Sequence, residues 1–239
     1  VPAFPIFLDL GGRGCLVVGG GSVGCAKAKR LMEAGAEVLV VDPAPSPALK
    51  ELALSGFPLR LEARAFRPED CDSRLLVFAC TDDPAVNASV AAAASARRVL
   101  CCRADAVSAT SPEDQRGNFT SGAVLRRGAL CVAVTSGGAA PGLAAAVRDR
   151  IATVIGEEFG EAAEMLSGLR EGLAAGDAAD LSDAAGRLDA AGRSKALRDV
   201  LAAGLVELLR EGRRNEAAAL VDRAIAAARS GREEIPCTR

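Results

Sequence analysis

Residues 15–24 read Cys15-Leu16-Val17-Val18-Gly19-Gly20-Gly21-Ser22-Val23-Gly24. A short apolar run ends in three glycines, and a helical pattern follows. Gly19-Gly20-Gly21-Ser22-Val23-Gly24 fits G-x-G-x-x-G, and a strand before it and a helix after it are the context that gives this motif meaning. The first glycine permits the tight turn and the second lets the backbone approach a pyrophosphate. The third lets the helix pack closely on the sheet, with the phosphate at the helix N-terminus. Asp42 ends the next β-branched run, about 20 residues on, as the dinucleotide fingerprint asks. A carboxylate there accepts from both ribose hydroxyls and repels a 2′-phosphate, so the expected cofactor is NAD rather than NADP. The plain alternatives are a ligand-free turn for the glycines and a simple turn residue before Pro43 for Asp42.

Working outward, strand and helix signals alternate. Cys15–Val18, Glu37–Val41, Leu59–Phe66, Leu75–Cys80 and Val99–Cys102 read as strands. Helical patterns fall over 22–34, 46–54 and 85–96. This alternation implies an α/β fold, a Rossmann-type parallel sheet with helices on both faces. Residues 106–118 are polar and Pro/Gly-containing and read as a mobile loop. Ala123–Leu125 and Leu130–Val134 read as two strands joined by Arg126-Arg127-Gly128. Ser136-Gly137-Gly138 leads into a helix from about Pro141, a residue favoured at the first helical position. From about 151 the signals are helical only, with breaks expected at Gly176-Asp177, Gly192-Arg193-Ser194 and Gly212. Leu201, Leu205 and Leu208 fall on one helical face. The expected division is a NAD-binding domain over 1–112, a small β-containing segment over 113–150 and an α-helical C-terminal domain over 151–239.

Composition narrows the function. The chain has 239 residues, 50% hydrophobic and 25% charged, with a net charge of −2, so a whole-molecule polyanion binder is disfavoured. Aromatic content is 3%, without Trp or Tyr, which argues against stacking on single-stranded nucleic acid. With no His, Ser-His-Asp and Cys-His catalysis in their usual forms and HExxH zinc sites are excluded. Eight cysteines form no CxxC pair, and most lie in apolar runs, so they read as buried hydrophobes of a cytoplasmic protein and no metal site is expected. No run reaches the ~18 apolar residues of a membrane span. The opening residues show no basic stretch followed by a cleavable apolar one, so export is not expected.

Other candidates sit at predicted strand ends, the ligand edge of an open α/β sheet. Thr81-Asp82-Asp83-Pro84 reads either as a cofactor contact or as a helix N-cap. Asn87 lies on the helix that follows and is a candidate to face the nucleotide. Arg103-Ala104-Asp105 follows the last strand, and without histidine Asp105 is a natural base or proton relay; the alternative is a solvated loop carboxylate. Thr135, Ser136 and Gly137 form either an anion site at a helix start or a capped turn. Arg126 and Arg127 are substrate contacts or hairpin-tip charges.

These residues, taken in order, resemble a family. Pro5-Ile6-Phe7, the run from Cys15 to Gly21, Lys27, Ala79-Cys80-Thr81-Asp82-Asp83, Asn87, Asp105, and Val132 to Gly138 with Pro141 look like the precorrin-2 dehydrogenase or siroheme-synthase N-terminal module. The resemblance covers roughly residues 2–155. It implies NAD-dependent oxidation of precorrin-2 to sirohydrochlorin, with metal insertion in some members. It also implies an intertwined homodimer paired through the middle segment, a functional aspartate at Asp105 and a Ser/Thr position at Thr135. The chain departs from the pattern in a longer stretch between Asp105 and Phe119, in Thr120-Ser121-Gly122, and in lacking histidine. With no methyltransferase module, it reads as a stand-alone dehydrogenase.

Precorrin-2 carries eight carboxylates, and Arg forks bind carboxylates bidentately. Arg97, Arg98, Arg103, Arg116, Arg126 and Arg127 cluster in sequence around Asp105 and the hairpin. Two other readings stand beside the dehydrogenase: an NAD(H)-sensing module without turnover, and a chelatase with vestigial NAD binding.

Overall fold

The computed structural model describes residues 4–105, 113–179 and 190–229. The chain divides into two compact units, Val1–Ser121 and Gly122–Arg239.

The first unit is built on five parallel strands in the order β3-β2-β1-β4-β5. They are β1 (Gly14–Val18), β2 (Glu37–Val41), β3 (Leu59–Glu62), β4 (Leu76–Ala79) and β5 (Leu100–Arg103). Helices α1 (Ser22–Glu33), α2 (Pro47–Leu54) and α3 (Pro84–Ala96) make the crossovers. Apolar side chains alternate between the two faces, as the strand period of two requires. Cys15, Val17, Val38, Val40 and Phe78 pack with α1 and with Leu49 of α2. Leu16, Val18, Leu39, Val41 and Val77 pack with Val90, Ala91 and Ala94 of α3. Both faces are covered, which is why these strands read as unbroken apolar runs.

Two expectations change here. β3 stops at Glu62 rather than Phe66, because the chain turns back: Arg64 N–H donates to the Glu62 carbonyl at 3.0 Å. Part of the expected mobile loop, 106–112, lies outside the described residues, and the part that is described is docked. A short 3₁₀ turn, Glu113–Gln115, precedes Asn118, whose Oδ1 accepts from Cys101 N–H and whose N–H donates to the Cys101 carbonyl, both at 2.9 Å. Phe119 then meets Phe78 edge-on at 5.3 Å between centroids. This segment covers the edge that β5 would otherwise expose.

The second unit opens with an antiparallel hairpin, β6 (Ala123–Arg127) and β7 (Leu130–Val134). Arg126 and Arg127 belong to β6, opposite Cys131 and Leu130, so the turn is Gly128-Ala129 and not Arg126-Arg127-Gly128. Gly128 has φ 51°, and Gly160 lies so close beneath that a Cβ there would sit 2.5 Å from the Arg127 carbonyl. Helices α4 (Pro141–Ala152), α5 (Glu158–Ala179), α6 (Ala190–Ala202), α7 (Leu205–Arg210) and α8 (Arg214–Arg229) follow. Leu169, Val200, Leu205, Leu209 and Leu220 form their core. Gly212 ends α7 at φ 75°, as expected. Gly176-Asp177 and Gly192-Arg193-Ser194 lie inside α5 and α6 and break nothing. Leu201 and Leu205 lie on different helices, because Gly204 turns the chain at φ 91°; Leu201 is exposed and Leu205 buried.

Candidate active site

At the carboxyl ends of β1 and β2 each fingerprint glycine has a distinct steric reason. Gly19 has φ 106°, and a Cβ there would meet the Cys80 carbonyl at 2.6 Å. At Gly24 a Cβ would lie 1.8 Å from the Gly19 oxygen, so α1 could not come down onto the loop. At Gly20 it would meet Leu49 and Asp42 at 2.9 and 3.0 Å. Gly21 is the opposite case: nothing lies within 4 Å of its Cβ position. Gly21 is the N-cap of α1 and makes no side-chain cap, and the first turn with Ser22 and Val23 is exposed. Open space over a bare helix start is what an incoming diphosphate needs.

Asp42 follows β2 and is braced. Its Oδ2 accepts from Gly20 N–H at 2.5 Å and its Oδ1 from Ala44 N–H at 2.6 Å. Each oxygen keeps a second lone pair for a ribose hydroxyl. Beside it lies a cleft of about 410 Å³ lined by Gly19, Asp42, Pro43, Phe66, Thr81, Asp82 and Val86, among others. The cleft therefore joins Gly19, Asp42, Thr81 and Asp82 in one place. Phe66, Val86 and Ser89 are wall residues that sequence reading missed. Phe66 lies beyond the end of β3, and the strand-end rule points to the loop just past Glu62. Arg64 shapes that loop: its Nη1 and Nη2 bond Asp70 at 2.8 and 2.6 Å and its Nε bonds Glu62 at 2.6 Å.

After β4, Asp83 caps α3, its Oδ1 accepting from Ala85 N–H at 2.8 Å with Pro84 in the first turn. The N-cap reading thus holds for Asp83, while Thr81 and Asp82 line the cleft. Asn87 does not face a nucleotide. It is fully buried, and its Oδ1 accepts from Thr81 N–H at 3.1 Å and from the Thr81 hydroxyl at 2.8 Å.

Asp105 follows β5 and is paired with Arg103, Nε to Oδ1 at 3.0 Å and Nη2 to Oδ2 at 2.5 Å. The Arg103 hydrogen bond holds the Asp105 carboxyl below its usual range; partial burial opposes this and the Asn87 amide assists it. Arg103 itself is buried, its side chain 8% exposed, and also donates to the Gln115 carbonyl at 2.8 Å and the Pro84 carbonyl at 3.4 Å. Arg103 is thus a support for Asp105 and not an open fork. Arg97 is likewise engaged, with Asp72.

Arg126, Arg127, Thr135, Ser136 and Gly137 belong to the second unit. Arg126 is exposed on β6. Arg127 donates to the Ile155 carbonyl at 3.0 Å and pairs with Glu157 at 3.1 Å. Thr135 Oγ1 accepts from Gly137 N–H at 3.1 Å and Ser136 Oγ from Ala140 N–H at 2.9 Å, a self-capped turn before α4. Among the described residues no three His, Cys, Asp or Glu side chains gather into a metal-sized group.

A family model for NAD(P)-binding proteins matches residues 6–123. The siroheme synthase of Chromobacterium violaceum is 39% identical over 172 residues, 72% of this chain and 35% of that protein. The siroheme synthase of Methylobacillus flagellatus is 40% identical over 167 residues, 70% of this chain and 34% of that protein. Over about 70% of its length the chain is similar to siroheme synthases. It spans about a third of the length of the curated siroheme synthases it matches. Among solved structures, SirC, precorrin-2 dehydrogenase, has the same fold, with a TM-score of 0.68 at 23% identity over 92% of this chain and 99% of that one.

Proposed function

We propose that the chain oxidises precorrin-2 to sirohydrochlorin with NAD⁺. The observation that carries this reading is one sheet edge with two equipped stations. A dinucleotide cleft opens at β1, β2 and β4, and an ionised, oriented carboxylate stands at β5. The siroheme synthase relatives supply the tetrapyrrole class. Gly19–Gly24 and the start of α1 hold the diphosphate, Asp42 holds the ribose, and Thr81 and Asp82 flank the nucleotide. When bound, the oxidised nicotinamide supplies a hydride acceptor. Precorrin-2 gives up a hydride and a proton, so the products are sirohydrochlorin, NADH and H⁺. Asp105 takes that proton and releases it to water; its Arg103 pairing keeps it ionised and ready to accept again.

The decisive experiment is anaerobic incubation with precorrin-2 and NAD⁺, following NADH by absorbance. NADH formation matched to precorrin-2 consumption is expected. Tight NAD⁺ binding without turnover would establish the sensor reading instead, and Fe²⁺ insertion into sirohydrochlorin without NAD⁺ the chelatase.

The reading also includes a cytoplasmic homodimer. Its support is apolar surface on the second unit: Leu143 and Val147, one turn apart on α4, and Val154 just beyond are 61%, 40% and 65% exposed. Light scattering at micromolar concentration should give twice the chain mass; a monomer removes the dimer from the proposal. Among the described residues no helix is long and apolar enough to cross a membrane.

A further inference from the structure

Between β3 and β4 the chain closes on itself around one guanidinium. Arg64 Nη1 and Nη2 bond the two oxygens of Asp70 at 2.8 and 2.6 Å, and Nε bonds Glu62 at 2.6 Å. Nη1 also donates to the Ala65 carbonyl at 3.0 Å. Asp70 is the buried end of this staple, 9% exposed, and it accepts from Arg67 N–H at 2.8 Å where the 3₁₀ turn Pro68–Cys71 begins. A planar guanidinium can fork onto one carboxylate and reach a second acid as well, which a lysine ammonium cannot do in one fixed geometry. The staple is tied to the ribose carboxylate too. The Glu62 carbonyl accepts from Asp42 N–H at 3.2 Å and from Arg64 N–H at 3.0 Å. Within the closed loop, Ala65 and Phe66 line the cleft beside Asp42. Phe66 is the aromatic side chain among the lining residues; it is half-buried and packs against the same apolar cluster as Val86 of α3.

We infer that Arg64 is a positioning residue for the adenine half of the cofactor: it holds Phe66 as a preformed wall against which the base packs. This rests on the reading of the cleft as the nucleotide site. The base is bonded to the ribose, so once Asp42 holds the ribose, the base lies in the adjoining part of the cleft, where Phe66 and Val86 supply apolar surface. A purine has π-faces that pack on an aromatic ring without any hydrogen-bond readout. A loop that had to become ordered at the moment of binding would subtract that cost from affinity, and a stapled one does not. Arg64 follows β3 and Asp105 follows β5, the two opposite edges of the sheet. The staple therefore acts on cofactor affinity and not on the chemical step. A plain loop brace would change stability and leave the affinity of the folded protein alone.

The test uses the full chain with Arg64→Met, Arg64→Lys and Phe66→Ala. Should Arg64→Met not fold because Asp70 is left buried and unpaired, Arg64→Met with Asp70→Leu removes both charges together. Calorimetry reads the dissociation constants of NAD⁺ and of ADP-ribose, which shares the adenine half and lacks the nicotinamide. The rate of precorrin-2 oxidation is read as KM for NAD⁺ against kcat. Phe66→Ala should weaken both ligands by about 5- to 150-fold, the usual worth of an aromatic ring beneath a base. Arg64→Met should weaken both by one common factor, no larger than that of Phe66→Ala, with the loss in KM rather than in kcat. Arg64→Lys should fall between the wild type and Arg64→Met. In the Phe66→Ala background, Arg64→Met should cost little further affinity. Wild-type affinities in Arg64→Met, a loss that persists undiminished in the Phe66→Ala background, or a loss carried by kcat overturns the proposal and makes Arg64 a plain loop brace. A wild-type chain that binds neither NAD⁺ nor ADP-ribose overturns the nucleotide reading of the cleft instead, and that is seen without touching Arg64.

Discussion

The two ends of the same sheet edge are built on opposite plans. At the β1–β2 end the structure is open: Gly21 has empty space above it, and α1 begins without a side-chain cap. At the β5 end it is closed: Arg103 bonds the Asp105 carboxylate and the Gln115 and Pro84 carbonyls. An open backbone cradle suits a ligand that brings its own charge and hydrogen-bond acceptors. A closed side-chain network suits a group that must hold one orientation through a reaction, because its rotamers are fixed before substrate arrives. Under the proposed function the difference assigns affinity to one end and chemistry to the other, and substitutions at the two ends should separate them.

The largest effect is expected at Asp105. Asp105→Asn should reduce precorrin-2 oxidation by about 10²–10⁴-fold, the usual worth of positioned proton transfer, with NAD⁺ affinity nearly unchanged. Asp105→Ala should match it in rate but also lose stability. It leaves the Arg103 guanidinium, only 8% exposed, with carbonyl partners alone. A loss of about 1–3 kcal/mol in chemical denaturation is expected. The pH dependence follows from the same pair. The Asp105 carboxyl is held below its unfolded value, so its contribution to stability is present above the ordinary carboxylate range of about 4. It is lost as pH falls through the folded value, and Asp105→Asn should flatten that acid limb. Full activity in both variants would reduce Asp105 to a surface brace for Arg103.

Gly19→Ala breaks the open end. It forces φ 106° on a residue with a Cβ and drives that Cβ to 2.6 Å from the Cys80 carbonyl. Strain and overpacking together should cost about 3 kcal/mol or more. NAD⁺ binding should disappear in calorimetry even where the variant still folds. A Gly19→Ala protein with wild-type NAD⁺ affinity would show that the loop does not meet the diphosphate.

Asp42→Asn is the milder cut at the same end. The wild type should prefer NAD⁺ to NADP⁺, and the variant should narrow that preference by about 1.5–3 kcal/mol, the scale of a hydrogen bond to a charged group. Asp42→Ala is the poorer test, because Asp42 also ties Gly20 to Ala44. Equal affinity of the wild type for both cofactors would remove Asp42 from the specificity argument.

The open end was readable from sequence and the closed end only in part, for a physical reason. Glycines that must avoid a backbone atom, and strands buried on both faces, leave their mark in residue type and spacing. Partnering leaves no such mark. The arginines around Asp105 looked like a cation cluster awaiting a polycarboxylate, yet Arg97 holds Asp72, Arg103 holds Asp105 and Arg127 holds the Ile155 carbonyl. Asn87 was visible as a polar residue on α3, but its direction depends on how α3 meets the turn after β4, a tertiary fact. The break at Gly204 was hidden for a similar reason: Leu201, Leu205 and Leu208 keep helical spacing across a left-handed turn that only the packed structure shows.

The smallest effect sharpens the comparison at the thiols. Burial pushes Cys15 and Cys71 up to about 11 and Cys80 and Cys101 up to about 12. A thiol raised in the folded state contributes stability that is whole below its unfolded value near 8.5 and fades as pH rises toward 11–12. The fold should therefore weaken on the alkaline side in that window. Buried, protonated thiols are also poor nucleophiles. Brief alkylation near neutral pH followed by mass spectrometry should thus modify the half-buried Cys131 of β7 before any of these four. Cys80 is the informative one, since it sits at the end of β4 between the two stations and is 8% exposed. Slow modification of Cys80, as slow as that of Cys15 at the start of the sheet, is what a closed β5 end requires. Modification of Cys80 as fast as Cys131 would mean that the network around Asp105 opens readily without substrate, and the contrast between the two ends would then be one of populations rather than of construction.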